Sequence, residues 1–82
     1  MSRINQIEYT MVVEPAEDEN GKYYCSYFPD LPGCTTMAST LKELDAHAKE
    51  AVNLYIDALK QTGQRVPMPS VEIRKVRVKA AV

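Results

Sequence analysis

The chain has 82 residues, of which 45% are hydrophobic and 26% charged, with a formal net charge of −1. That length excludes a second core, the apolar fraction excludes general disorder, and the near-neutral balance excludes a chain built throughout to coat nucleic acid. No apolar run approaches the ~20 residues of a membrane span, and Met1 to Gln6 lack the apolar heart of a signal peptide, so a cytoplasmic location is expected.

Residues 7–14 alternate, with Ile7, Tyr9, Met11 and Val13 on one face and Glu8, Thr10 and Glu14 on the other. This predicts a first strand covered on one side. Pro15 to Gly21 reads as an acidic, solvated loop whose Asn20-Gly21 pair is a strong hairpin signal. Lys22 to Phe28 then forms a second strand, antiparallel to the first.

That strand cannot run on. Pro29 and Pro32 lack an amide hydrogen and fix φ, Phe28 and Leu31 precede prolines, and Gly33 is free to take a positive φ. The expectation is a stiff corner leading to a short third strand, Cys34 to Met37.

Thr40-Leu41-Lys42-Glu43 is a capping box that opens a helix. Leu41, Leu44, Ala48, Ala51, Val52, Tyr55 and Leu59 recur every three or four positions as one apolar stripe, and Gly63 is placed to end the helix. Its length is then about 22 residues, or about 33 Å. Arg65-Val66-Pro67-Met68-Pro69 carries the chain stiffly back toward the sheet.

Val71 to Val78 reads as a last strand whose alternation slips. Val71 and Ile73 share one face, and Val76 and Val78 share the other. Either a bulge intervenes or both faces are covered, the second by packing on another subunit. Arg74, Lys75, Arg77 and Lys79 give this segment a local positive charge, which suits an edge strand guarded against stray pairing and could also meet RNA or an acidic patch. The order β-β-β-α-β is an α+β arrangement, a small antiparallel sheet covered by one long helix.

Catalytic chemistry finds little support. Glu8, Glu14 and Glu72 fall at solvent-facing strand positions, Asp30 suits a turn cap, and His47 stands in mid-helix without a nucleophile at motif spacing. Cys25, Cys34 and His47 fall short of a zinc set, and in a reducing compartment the two cysteines are expected as free thiols. No metal, no cofactor and no enzymatic activity are expected.

Tyr23-Tyr24 leading to Phe28-Pro29-Asp30-Leu31-Pro32-Gly33-Cys34, then Thr36 and the helix start at Thr40, resembles the N-terminal domain of the HicB family over about residues 5 to 73. The resemblance implies a truncated ribonuclease H-like fold. It also implies an antitoxin module of a type II toxin–antitoxin system, one that binds and sterically inhibits a HicA-type mRNA interferase. On that reading the partner-binding residues are Tyr27, Phe28, Pro29, Asp30, Leu31 and Gly33, with Gly33 there for its backbone. Many HicB antitoxins carry a C-terminal DNA-binding segment. None is expected here, where residues 1–82 read as a single HicB-like domain that does not bind DNA directly. The alternative is an orphan HicB-like scaffold without a toxin. On either reading a homo-oligomer, dimer or tetramer, is expected.

Overall fold

The computed structural model describes residues 6–80, in which three strands precede one helix. The expectation of no signal-peptide core in Met1 to Asn5 lies outside the described residues. Strands β1 (Val12–Asp18), β2 (Gly21–Tyr27) and β3 (Thr35–Ala38) form an antiparallel meander in the order β1-β2-β3, followed by helix α1 (Leu41–Gln61).

The first strand sits later in the chain than its alternation suggests. Pairing starts at Val12↔Tyr27 and runs through Pro15↔Tyr24 to Asp18↔Gly21. The Pro29 corner ends β2, so residues 7–11 have no β2 backbone to pair with. The acidic stretch after Val13 therefore supplies half of the strand instead of a loop. Pro15 is tolerated because β1 is an edge strand, where a missing donor costs little. The reversal is correspondingly tight: Glu19 and Asn20 form the loop, the Asn20 amide donates to Asp18 Oδ1 at 2.8 Å, and Gly21 takes the positive φ of 121°.

The helix begins and ends where its signals stand. Thr40 Oγ1 accepts the Glu43 amide at 3.1 Å, although the reciprocal bond from Glu43 to the Thr40 amide is not formed among the described residues. At the other end the Gln64 amide donates to Leu59 O and the Gly63 amide to Lys60 O, a Schellman closure around Gly63 with φ 72°. Leu44 and Ala48 are buried, and Ala51, Val52, Tyr55 and Leu59 half-buried, but Leu41 at the first turn is exposed.

The helix packs on β3 and β2 and not on β1. Phe28, Leu31, Cys34 and Ala48 form the core cluster, with Tyr9, Met11, Ala51, Val52 and Tyr55 against it. Ser26 is buried on the same side, and its hydroxyl is satisfied by Thr36, its cross-strand partner. The fourth strand is not formed. Residues 64–80 contain no helix or strand, and from Ser70 to Ala80 every side chain is exposed.

Candidate protein-binding surface

The corner is two consecutive turns. The Leu31 amide donates to Phe28 O at 2.9 Å across Pro29-Asp30, and the Cys34 amide donates to Leu31 O at 3.0 Å across Pro32-Gly33. Gly33 has φ 83°, the value a type II turn needs at its third position, as the sequence predicts.

Two other elements hold this corner. From the helix, the Tyr55 hydroxyl donates to Pro32 O at 2.9 Å. From the segment after the helix, Ser70 Oγ donates to Asp30 Oδ1 at 2.8 Å, while the amides of Ser70 and Val71 donate to Oδ2 at 3.3 and 3.4 Å. The Ser70 hydroxyl bond above all, with the two amide bonds, holds the Asp30 carboxyl below its ordinary range against an opposing effect of burial. Beside it, the Tyr9 hydroxyl donates to Pro67 O at 2.6 Å. Burial raises the Tyr9 phenol, and the Asp30 charge raises it further.

The six expected binding residues separate accordingly. Leu31 is fully buried and Phe28 nearly so, both in the core cluster. They support the corner from beneath and lie in the core, not on its surface. Asp30 is half-buried and engaged by Ser70 and Val71 within the chain. Tyr27, Pro29 and Gly33 are exposed.

The strand register shows what lies beside Tyr27. Side chains alternate across the sheet, so Val12, Glu14 and Ala16 of β1, Tyr23, Cys25 and Tyr27 of β2, and Thr35 and Met37 of β3 share the face opposite the helix. Nothing among the described residues covers that face. Tyr27 is 42% and Met37 61% exposed, which leaves an aromatic and thioether patch open to solvent. The open patch thus extends from Tyr27 to the half-buried Tyr23 and to Met37, beyond the residues that the sequence singles out. Their alternation with Tyr24 and Ser26 was a signal, but the helix had to be placed before the free side was known.

His47 is exposed, with Nδ1 3.0 Å from Met37 O at β3. Glu8, Glu14 and Glu72 are exposed, Glu72 lying 4.0 Å from Arg74 in a solvent-exposed pair of little strength. Among the described residues no three His, Cys, Asp or Glu side chains gather around a possible metal position. Cys25 and Cys34 are free thiols, and burial pushes the Cys34 thiol up. No described helix is long and apolar enough to cross a membrane.

These features define a small α+β domain with a three-stranded meander backed on one face by a single helix. A protein-family model described as "HicB_like antitoxin of bacterial toxin-antitoxin system" matches residues 9–80, and the chain belongs to that family. It is 38% identical over 66 residues to a UPF0150 protein of Thermoplasma acidophilum, covering 80% of this chain and 91% of that one. It is 37% identical over 70 residues to a UPF0150 protein of Archaeoglobus fulgidus, covering 83% and 97%. A 14.9 kDa protein of the rep-hol intergenic region of Haemophilus phage HP1 is 30% identical over 59 residues, 72% of this chain and 41% of the phage protein. No solved structure matches the chain at a significant level.

Proposed function

We propose that this chain acts by binding and not by chemistry, as the antitoxin module of a type II toxin–antitoxin pair in the cytoplasm. Its partner is a HicA-type mRNA interferase, which it inhibits by steric cover. The observation that carries this reading is the helix-free sheet face: Tyr23, Tyr27 and Met37 form an open patch beside a corner fixed by two turns and by bonds from Tyr55 and Ser70. A surface already ordered before docking loses little further freedom when it docks. Aromatic and methionine side chains are also the ones enriched where proteins meet. Tyr27, Pro29 and Gly33 are the outward part of the binding residues, and Phe28, Asp30 and Leu31 hold them in position. The strand and helix order also supports reading the fold as a truncated ribonuclease H-like scaffold without its acidic metal site.

The test is co-expression with the product of the neighbouring reading frame, where a short basic chain with a central histidine is expected. Co-purification and loss of that protein's RNA cleavage support the reading. Failure of a soluble, folded pair to associate removes it.

A second reading, self-association into a homo-oligomer, is supported by a separate observation. Ile73, Val76 and Val78 are 76%, 84% and 75% exposed, an apolar content that a solitary chain gains nothing by presenting to water.

A further inference from the structure

We propose that residues 71–79 of one copy add as a strand to the open sheet edge, residues 7–14, of a second copy, and that two copies exchange these arms reciprocally. The inference rests on the self-association reading and is independent of any toxin.

The arm is fixed at its root and free beyond it. Tyr9 holds Pro67, and Asp30 holds Ser70 and the Val71 amide. Past Val71, no backbone–backbone hydrogen bond forms among the described residues. Its composition is nonetheless that of a strand, Val-Glu-Ile-Arg-Lys-Val-Arg-Val-Lys, with β-branched residues at four of nine positions. Such a segment lacks only ladder partners.

The sheet offers one edge that fits it. The helix packs against β3 and β2, and His47 reaches Met37 O on β3, so that side of the sheet is partly closed. Among the described elements, β1 contacts β2 alone, so its outer side has no such cover there. Residues 7–11 run ahead of β1 with no backbone–backbone bond among the described residues. An edge that presents unpaired amides and carbonyls is a template for one more strand. Pro15 blunts the far part of β1, which confines the addition to the stretch before it.

Charge selects the occupant. Residues 6–21 carry five carboxylates, Glu8, Glu14, Glu17, Asp18 and Glu19, and no basic side chain, whereas residues 69–80 carry Arg74, Lys75, Arg77 and Lys79 against Glu72 alone. Arm on edge brings opposite charges together. Arm on arm would set the basic residues of two copies against each other, which cross-strand pairing penalises.

The slipped alternation of the arm also finds its use. A groove of 640 Å³ lies on the helix side of this edge, lined by Ile7, Tyr9, Met11, Phe28, Ala48 and Val52 among others. The opposite side continues into the helix-free face at Val12 and Tyr27. A strand laid along the edge meets the apolar groove on one side and Val12 and Tyr27 on the other, so Val71 and Ile73 are covered from one side and Val76 and Val78 from the other.

Sedimentation of the full chain and two charge-reversed variants tests this. The arm variant is Arg74→Glu/Lys75→Glu/Arg77→Glu and the edge variant is Glu8→Lys/Glu14→Lys, each checked for unchanged helix content by circular dichroism. Each alone is expected to self-associate at least about tenfold more weakly than the parent, since like charges then face each other. An equal mixture of the two is expected to assemble again, because each arm then faces an edge of opposite charge on the other variant. An arm variant that associates like the parent overturns the arm assignment and leaves self-association standing. A mixture that stays dissociated overturns the arm-on-edge pairing, and a parent chain that is monomeric at high concentration overturns both readings.

Discussion

Asp30 and Ser70, forty residues apart, meet at 2.8 Å between the carboxylate and the hydroxyl. One contact thus joins the proline corner to the root of the C-terminal arm. The Asp30 side chain ties the arm's root to a corner that its own two turns and the Tyr55 hydroxyl also fix, and its charge strengthens that tie.

The Asp30 carboxyl lies below its ordinary range in the folded chain, so the sign of the pH effect is fixed. The contribution is fully present above the unfolded value of about 4 and is lost as pH falls through the lower folded value. Amide exchange at Ser70 and Val71 is therefore expected to keep its protection relative to the intrinsic rate from neutral pH to about pH 5 and to lose it in more acid solution. Asp30→Asn, which cannot carry the charge, is expected to weaken that protection at neutral pH and remove its acid dependence. Unchanged protection in the variant would show that the carboxylate does not hold the arm.

Leu31 and Tyr27 belong to the same corner but are expected to fail differently. Leu31 is fully buried, and Leu31→Ala should cost about 2 to 5 kcal/mol in urea unfolding through lost burial and the cavity left behind. Tyr27→Ala should change stability little and weaken partner binding by more than about 1 kcal/mol, which is roughly fivefold or more. Equal stability losses in the two would place Tyr27 in the core as well.

Gly33 separates backbone strain from steric fit. A Cβ built there meets nothing within 4 Å, yet φ is 83°. Gly33→Ala is expected to destabilise by about 1 to 2 kcal/mol from the left-handed conformation alone. Gly33→Asn should cost less, because asparagine tolerates that region better. Thermal melts of the two variants give the comparison, and an alanine variant as stable as the parent would argue that the turn changes type.

The two thiols should differ in reactivity. Cys34 is buried, and burial raises its pKa, so it stays protonated and shielded at neutral pH, while Cys25 on the helix-free face is half-exposed. A thiol reagent is expected to modify Cys25 in the native chain and Cys34 only on unfolding. Protection of Cys25 on adding a partner would place that partner on the helix-free face.

Some of this organisation is legible residue by residue. The Thr40 cap, the closure at Gly63 and the positive φ of Gly33 each depend on a few neighbouring atoms, and each stands where its sequence signal lies. The first strand is displaced because strand existence needs a partner backbone. Alternation in residues 7–11 is real, but β2 stops at Tyr27 and leaves those residues unpaired, while Pro15 to Asp18 pair because the hairpin closes tightly behind them. The same requirement explains why Val71 to Val78, strand-like in composition, forms no strand within one copy.

The chain's own order of residues determined the local geometry: the turns, the caps, the apolar stripe of the helix and the membership of each strand face. Tertiary structure decided which of those faces is covered. Periodicity groups side chains that point the same way, but it does not say where a helix from elsewhere in the chain will come to rest. Once α1 lay across β2 and β3, Phe28 and Leu31 became interior, Tyr27 and Met37 were left outside, and β1 kept an edge that no other described element pairs with.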